Sequence, residues 1–195
     1  MGSNIHGTLG LGNSGSINYA FKPTLVKELK DVDQVFSGSY HMCALKQGEL
    51  YTWGKGIDGQ LGHGNMKNVF VPTKVQALGA DVETVSCGMN HTLVTVSKSV
   101  NNLNGYAFGN GIYGQLACGS NRSYNYPINI KLPNIQSVSA GENHSLFVSD
   151  GKVYGCGDNS SFQIGSFDDT YKNKKYILEP VRYFSMIFKG QFFCE

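Results

Sequence analysis

The chain has 195 residues, a formal net charge of +2 at pH 7, and 41% hydrophobic against 15% charged residues. That balance excludes a disordered chain and a strong general field for nucleic acid, an anionic membrane or an acidic partner. The 25 glycines are nearly twice the usual share, and so many residues tolerant of positive φ imply tight turns between short strands.

Five cysteines, Cys43, Cys87, Cys118, Cys156 and Cys194, lie far apart without a C-x-x-C pair, a spacing that argues against zinc and against a disulfide framework. Their odd number fits a reducing compartment. No apolar run approaches a signal or membrane-span length, and His6 stands where a myristoylation signal needs Ser or Thr. Cytoplasm or nucleus is the expected location, with no membrane partner.

Taken in order, the chain reads as a repeat array with a period of about fifty residues. A partial unit, 1–22, carries the turn Gly7-Thr8-Leu9-Gly10-Leu11-Gly12. Unit 23–71 opens at Pro23, runs through the valine-rich strand Val32 to Gly38, and continues into Gly38-x-x-His41 and an apolar strand to Leu45. A short turn at Gln47-Gly48 then leads to Leu50-Tyr51-Thr52-Trp53-Gly54-Lys55-Gly56-Ile57-Asp58-Gly59-Gln60-Leu61-Gly62. Unit 72–126 repeats these landmarks at Pro72, Val82 to Gly88, His91, Phe108-Gly109, and Gly114-Gln115-Leu116. Unit 127–179 does so at Pro127, Ile135 to Gly141, His144, Gly155-Cys156-Gly157 and Gln163-Ile164-Gly165, and a partial unit, 180–195, ends the array. In that last unit Phe184 to Gly190 repeats the valine strand and Phe193 stands at the histidine position.

Proline cannot donate to a ladder, so the strands at Pro23, Pro72, Pro127 and Pro180 are expected at a sheet edge. Asp150-Gly151 is a strong two-residue hairpin signal. Lys98 to Gly105 forms the clear insertion, read as an extra surface loop.

With four short antiparallel strands per unit and no helical period, the fold class is all-β. The expected architecture is a partial β-propeller of about three and a half to four blades. A single blade cannot bury both faces, so Val35, Val85, Val138, Leu45, Val94, Phe147, Trp53, Phe108 and Leu61 are the expected core between blades.

Gly88-Met89-Asn90-His91-Thr92, Gly141-Glu142-Asn143-His144-Ser145 and the run Trp53 to Gly62 resemble the regulator of chromosome condensation repeat. The resemblance covers nearly the whole chain. It implies part of a ring that in this family closes with seven blades, and it leaves function open between exchange factors, ubiquitin-ligase substrate modules and other regulators. A compact four-bladed ring and completion by a second copy are the other arrangements considered. Uncapped, such an array exposes Ile187, Phe188, Phe192 and Phe193.

The structural repeat positions are Gly38, His41, Trp53, Gly54, Gly59, Leu61, Gly62, Gly88, His91, Gly109, Gly114, Leu116, Gly141, His144 and Gly157. One histidine at the same place in each unit is the mark of a repeated structural hydrogen bond, not of a metal or catalytic site. His63 stands where other units carry Cys118 or Leu11 and reads as an exposed position. Gly54-x-Gly56-x-x-Gly59 fits a phosphate-loop pattern, yet no parallel strand, helix or acidic ribose ligand follows, so it reads as a turn.

No nucleophile constellation, carboxylate pair or metal spacing is found, so neither an enzyme nor a cofactor is expected. The preferred function is a protein-interaction scaffold. Its candidate contacts are Lys98, Asn101 and Asn102 in the insertion, with Tyr124, Tyr126, Tyr171, Lys172, Lys174 and Lys175 in longer loops. The resemblance also admits exchange activity on a Ran-type small GTPase, and chromatin association through Lys172, Lys174 and Lys175. It argues against the ultraviolet photoreceptor branch, which needs a tryptophan cluster, because Trp53 is the sole tryptophan.

Overall fold

The computed structural model describes residues 1–12, 18–99, 102–165 and 176–182. The described residues are all strand, turn and coil. A short pair, β1 (Gly2–Ser3) with β2 (Tyr19–Ala20), precedes three four-stranded antiparallel sheets. The first blade is β3 (Gln34–Ser37), β4 (His41–Lys46), β5 (Glu49–Gly54) and β6 (Val69–Lys74). The second is β7 (Val82–Cys87), β8 (His91–Ser99), β9 (Asn102–Gly109) and β10 (Tyr124–Asn129). The third is β11 (Ile135–Ala140), β12 (His144–Ser149), β13 (Lys152–Asp158) and β14 (Tyr176–Arg182).

Three of the four proline-marked stretches are the outer edges of their sheets, Pro72 on β6, Pro127 on β10 and Pro180 on β14, whereas Pro23 lies in coil between β2 and β3. In all three the register shifts around the proline, between Thr52 and Gly54, between Tyr124 and Ile128, and between Gly155 and Gly157. An irregular edge is where a missing N–H costs least. These strands begin before the proline rather than at it, so a stretch counted from one proline to the next takes the last strand of one sheet and the first three of the following one.

Period-two alternation aims the two faces of a blade at its two neighbours. Cys43, Leu45, Leu50, Val85, Val94 and Phe108 form the core between the first and second blades. Leu93, Ala107, Leu116, Ile135, Phe147 and Cys156 form the core between the second and third. Adjacent residues Leu93 and Val94 therefore serve opposite cores.

Of the expected core, Leu45, Trp53, Leu61, Val85, Val94, Phe108 and Phe147 are buried, and Val138 is half-buried against the second core. Val35 is the correction, because it is 68% exposed. It faces away from the second blade, whereas the first turn on that side packs on β5 and β6, with Trp53 Nε1 donating to the Thr8 carbonyl at 3.0 Å. The described residues thus form part of a propeller, not a closed ring.

The insertion is also built differently from a loop. It lengthens β8 and β9 into a longer hairpin, with Val96 opposite Asn104, Ser97 opposite Leu103 and Ser99 opposite Asn102. The shorter hairpins turn at Gln47 (φ 50) with Gly48 (φ 74), and at Asp150 (φ 46) with Gly151 (φ 69), the paired positive angles of a two-residue turn matched to strand twist. The valine-strand copy at 184–190, Ile187, Phe188, Phe192 and Phe193 lie outside the described residues.

Candidate functional site

The inner ends of β3, β7 and β11 converge on a cleft of about 460 Å³, lined by residues 37–39, 87–89 and 140–142. Each segment centres on the repeat glycine, Gly38, Gly88 or Gly141. The reason for glycine is steric, not conformational. A Cβ on Gly38 would lie 2.5 Å from His41 Cε1 and 2.5 Å from the Gly88 carbonyl oxygen. On Gly88 it would lie 2.2 Å from His91 Cε1 and 2.6 Å from the Gly141 oxygen, and on Gly141 2.1 Å from His144 Cε1. The Gly-x-x-His spacing therefore folds an imidazole over its own glycine, and at Gly38 and Gly88 also under the next blade's backbone.

From that position each ring reaches the following blade. His41 Nε2 lies 2.9 Å from Thr92 Oγ1, and His91 Nε2 lies 2.9 Å from Ser145 Oγ. Thr92 Oγ1 donates to the Gln60 carbonyl at 2.8 Å and Ser145 Oγ to the Gln115 carbonyl at 2.8 Å. Each hydroxyl spends its single proton on a carbonyl, so it accepts from the histidine. That assigns the Nε2–H tautomer to both rings and leaves Nδ1 as the acceptor without a hydrogen-bond partner. A histidine, a hydroxyl and the turn of the preceding blade are thereby joined across each interface.

Burial pushes His91 down to about 3, helped by the nearby rings of His41 and His144. Burial also lowers His144, against the opposing pull of Asp158. His63 is half-buried rather than exposed. Its Nε2 contacts Thr52 Oγ1 at 2.9 Å, and burial lowers its pKa against a bond to the Thr52 carbonyl.

The glycine-rich turns seal the outer side of each interface. Gly59 (φ 85) abuts the Tyr124 carbonyl of the next blade's edge strand, and Gly62 (φ 74) lies against the Phe108 ring. In the first turn Gly7 and Gly10 meet Phe70 and Trp53 in the same way. Leu61 and Leu116 are buried from these turns, and Gly114 takes φ 88. Gly54, Gly109 and Gly157 take φ between 103 and 111, close to the backbone of Tyr40, Asn90 and Asn143.

Replacing Thr92 by Val keeps the shape but leaves His41 Nε2 and the Gln60 carbonyl unpaired in the interior. The expected loss is about 2–3 kcal/mol in urea unfolding, with Thr92→Ser, the residue type that Ser145 supplies one blade later, recovering most of it.

The structure gathers the repeat positions but scatters the candidate partner contacts. Lys98 and Asn102 lie on the extended hairpin, and Tyr124 and Tyr126 are on edge strand β10, with rings 5.8 Å apart and Tyr126 50% exposed. Asn101, Tyr171, Lys172, Lys174 and Lys175 lie outside the described residues.

Sequence reasoning placed Thr92 and Ser145 in the motif without a role for their hydroxyls, and it missed a thiol pair. Cys43 and Cys87, 44 positions apart, meet across the first interface with their sulfurs 3.3 Å apart. With one ring nitrogen of His41 they place three metal-capable atoms within 4.8 Å of one another. The hydrogen bond with Cys87, then burial, raises Cys43. The bond with Cys43 lowers Cys87 against the cost of burial.

Blades that stack face to face and are pinned by a glycine-seated histidine define a repeat propeller of the Gly-x-x-His class. The chain matches the regulator of chromosome condensation (RCC1) repeat over residues 1–45, 47–95 and 106–148, with a second match to that repeat at 135–163. It belongs to this family.

The chain is 34% identical over 140 residues to the ultraviolet-B receptor UVR8 of Arabidopsis thaliana, covering 69% of the chain and 31% of the receptor. It is 33% identical over 171 residues to the human E3 ubiquitin-protein ligase HERC2, covering 83% of the chain and 4% of the ligase. Among solved structures, Prp20p from Saccharomyces cerevisiae, described with its binding properties to Gsp1p and histones, superposes with a TM-score of 0.65 at 26% identity. It covers 82% of this chain and 40% of Prp20p. The chain thus spans less than a third of the two curated relatives.

Proposed function

We propose that the chain is a non-enzymatic interaction module whose glycine-lined cleft holds a protein partner. The observation that supports this is internal to the repeats. The frame around the cleft is the same three times over, yet the residue after the repeat glycine is Ser39, Met89 or Glu142, three different chemistries facing one cleft. A rigid frame presenting unlike tips is the usual arrangement of a recognition surface. The Tyr124 and Tyr126 rings on β10 supply a second aromatic contact at the edge. The location read with this is nucleus or cytoplasm.

A Ran-class small GTPase is the finer reading of that partner, favoured by the likeness to Prp20p, whose description names Gsp1p binding. The test pairs the native chain with M89R/E142R in cross-linking capture from lysate, and with labelled-GDP release from a Ran-class GTPase. Partners captured by the native chain and lost by at least tenfold in the variant support the cleft. Equal capture by both refutes it, and unchanged GDP release removes the GTPase reading alone.

A further inference from the structure

We propose that Cys43 and Cys87 form a peroxide-responsive dithiol, in which Cys87 is oxidised first and Cys43 resolves it to a disulfide joining the first and second blades. Three observations carry it. The sulfurs already touch at 3.3 Å, so a disulfide needs roughly 1 Å of closure. Cys87 is half-buried and lines the cleft, so a small oxidant reaches it, whereas Cys43 is fully buried behind it.

The third observation comes from the next interface, where the equivalent positions are Leu93 and Ala140, packed in the second core. Packing at this site is therefore met by plain apolar residues, and the paired thiols are a departure from the repeat.

The chemistry balances. The Cys87 thiolate attacks one oxygen of hydrogen peroxide, the O–O bond breaks, and the departing hydroxide takes up a proton as water, leaving a sulfenic acid. Cys43 sulfur then attacks Cys87 sulfur, the S–O bond breaks, and hydroxide leaves with the Cys43 proton as a second water. Two thiols are oxidised to one disulfide and one peroxide is reduced to two waters. The titratable groups around Cys87 are His41 and Cys43 on β4 and Glu142 across the cleft. The bond with Cys43 holds Cys87 below the ordinary thiol range, which favours it as the attacking sulfur.

The full chain is treated with equimolar hydrogen peroxide, capped with N-ethylmaleimide and mapped by mass spectrometry without reduction. The expected product is a Cys43–Cys87 linked peptide, with Cys156 still free in its apolar core. Cys43→Ser is expected to stop at a Cys87 sulfenic acid captured by dimedone. At pH 6.5 Cys87 should react with iodoacetamide about tenfold faster than half-buried Cys118, a measurement on native protein that needs no variant. C43L/C87A, copying the next interface, should fold normally and lose the linked peptide. Absence of that peptide, Cys87 no faster than Cys118, or one tightly held zinc shielding both thiols would each overturn the proposal.

Discussion

Gly88→Ala is expected to cost about 3 kcal/mol in urea unfolding. The methyl would sit 2.2 Å from His91 Cε1, 2.4 Å from His91 Nδ1 and 2.6 Å from the Gly141 oxygen. None of the three can retreat cheaply. The ring is fully buried and fixed to Ser145, and the oxygen belongs to the third blade's backbone. Relief requires the ring to leave Ser145 or the blades to part, and either frees buried polar groups. Against a typical domain stability of about 5–15 kcal/mol this is a large fraction. Gly79→Ala is the control, since a Cβ there meets only Asp81 Oδ2 at 3.9 Å and should change stability by no more than about 0.5 kcal/mol. Equal effects at the two glycines would refute the steric role of the Gly-x-x-His spacing.

Acid should weaken the fold well before carboxylates protonate. His91 is held neutral in the folded chain down to about pH 3, whereas in the unfolded chain it titrates near its ordinary value of 6.5. Between those limits the unfolded state carries a proton that the folded state refuses, so stability falls as pH falls, by about 1.4 kcal/mol per unit. Above 6.5 nothing is lost. Lowering pH from 7.5 to 5.0 is therefore expected to cost about 2 kcal/mol through His91 alone. His144 and His63, both lowered by burial, act in the same direction. Urea midpoints at the two pH values, for the native chain and His91→Gln, separate the contributions. Gln lacks the titration, so the variant should lose about 2 kcal/mol less on acidification, while starting less stable. An identical pH dependence in both would show that His91 is not the buried neutral group described here.

The repeat period, the all-strand class and the edge position of the proline strands were legible because each rests on local chemistry that recurs in step. Pro72, Pro127 and Pro180 each lack an N–H, and each lies on an outer strand. Turn geometry persists even where the letters drift: Ala117 (φ 56) and Gly165 (φ 61) take the angle of Gly62, and Phe162 (φ 61) that of Gly59. Val35 shows the opposite case. Its pattern is that of Val85, but the two sit in unlike surroundings, one bare and one between blades. The insertion was visible as extra length, while its form as a longer hairpin depended on the pairing of Ser97 with Leu103 and Ser99 with Asn102.

By itself the sequence determined a strand-turn array and the spacing that places an imidazole over a glycine, because those are relations among residues a few positions apart. Only the tertiary structure decided what crosses between blades: His41 on Thr92, His91 on Ser145, and Cys43 beside Cys87. In sequence the wide spacing of the cysteines argues against zinc and against a disulfide framework. Stacking brings residues of consecutive units to the same interface, and that proximity follows from blade packing rather than from any feature of the chain near either residue.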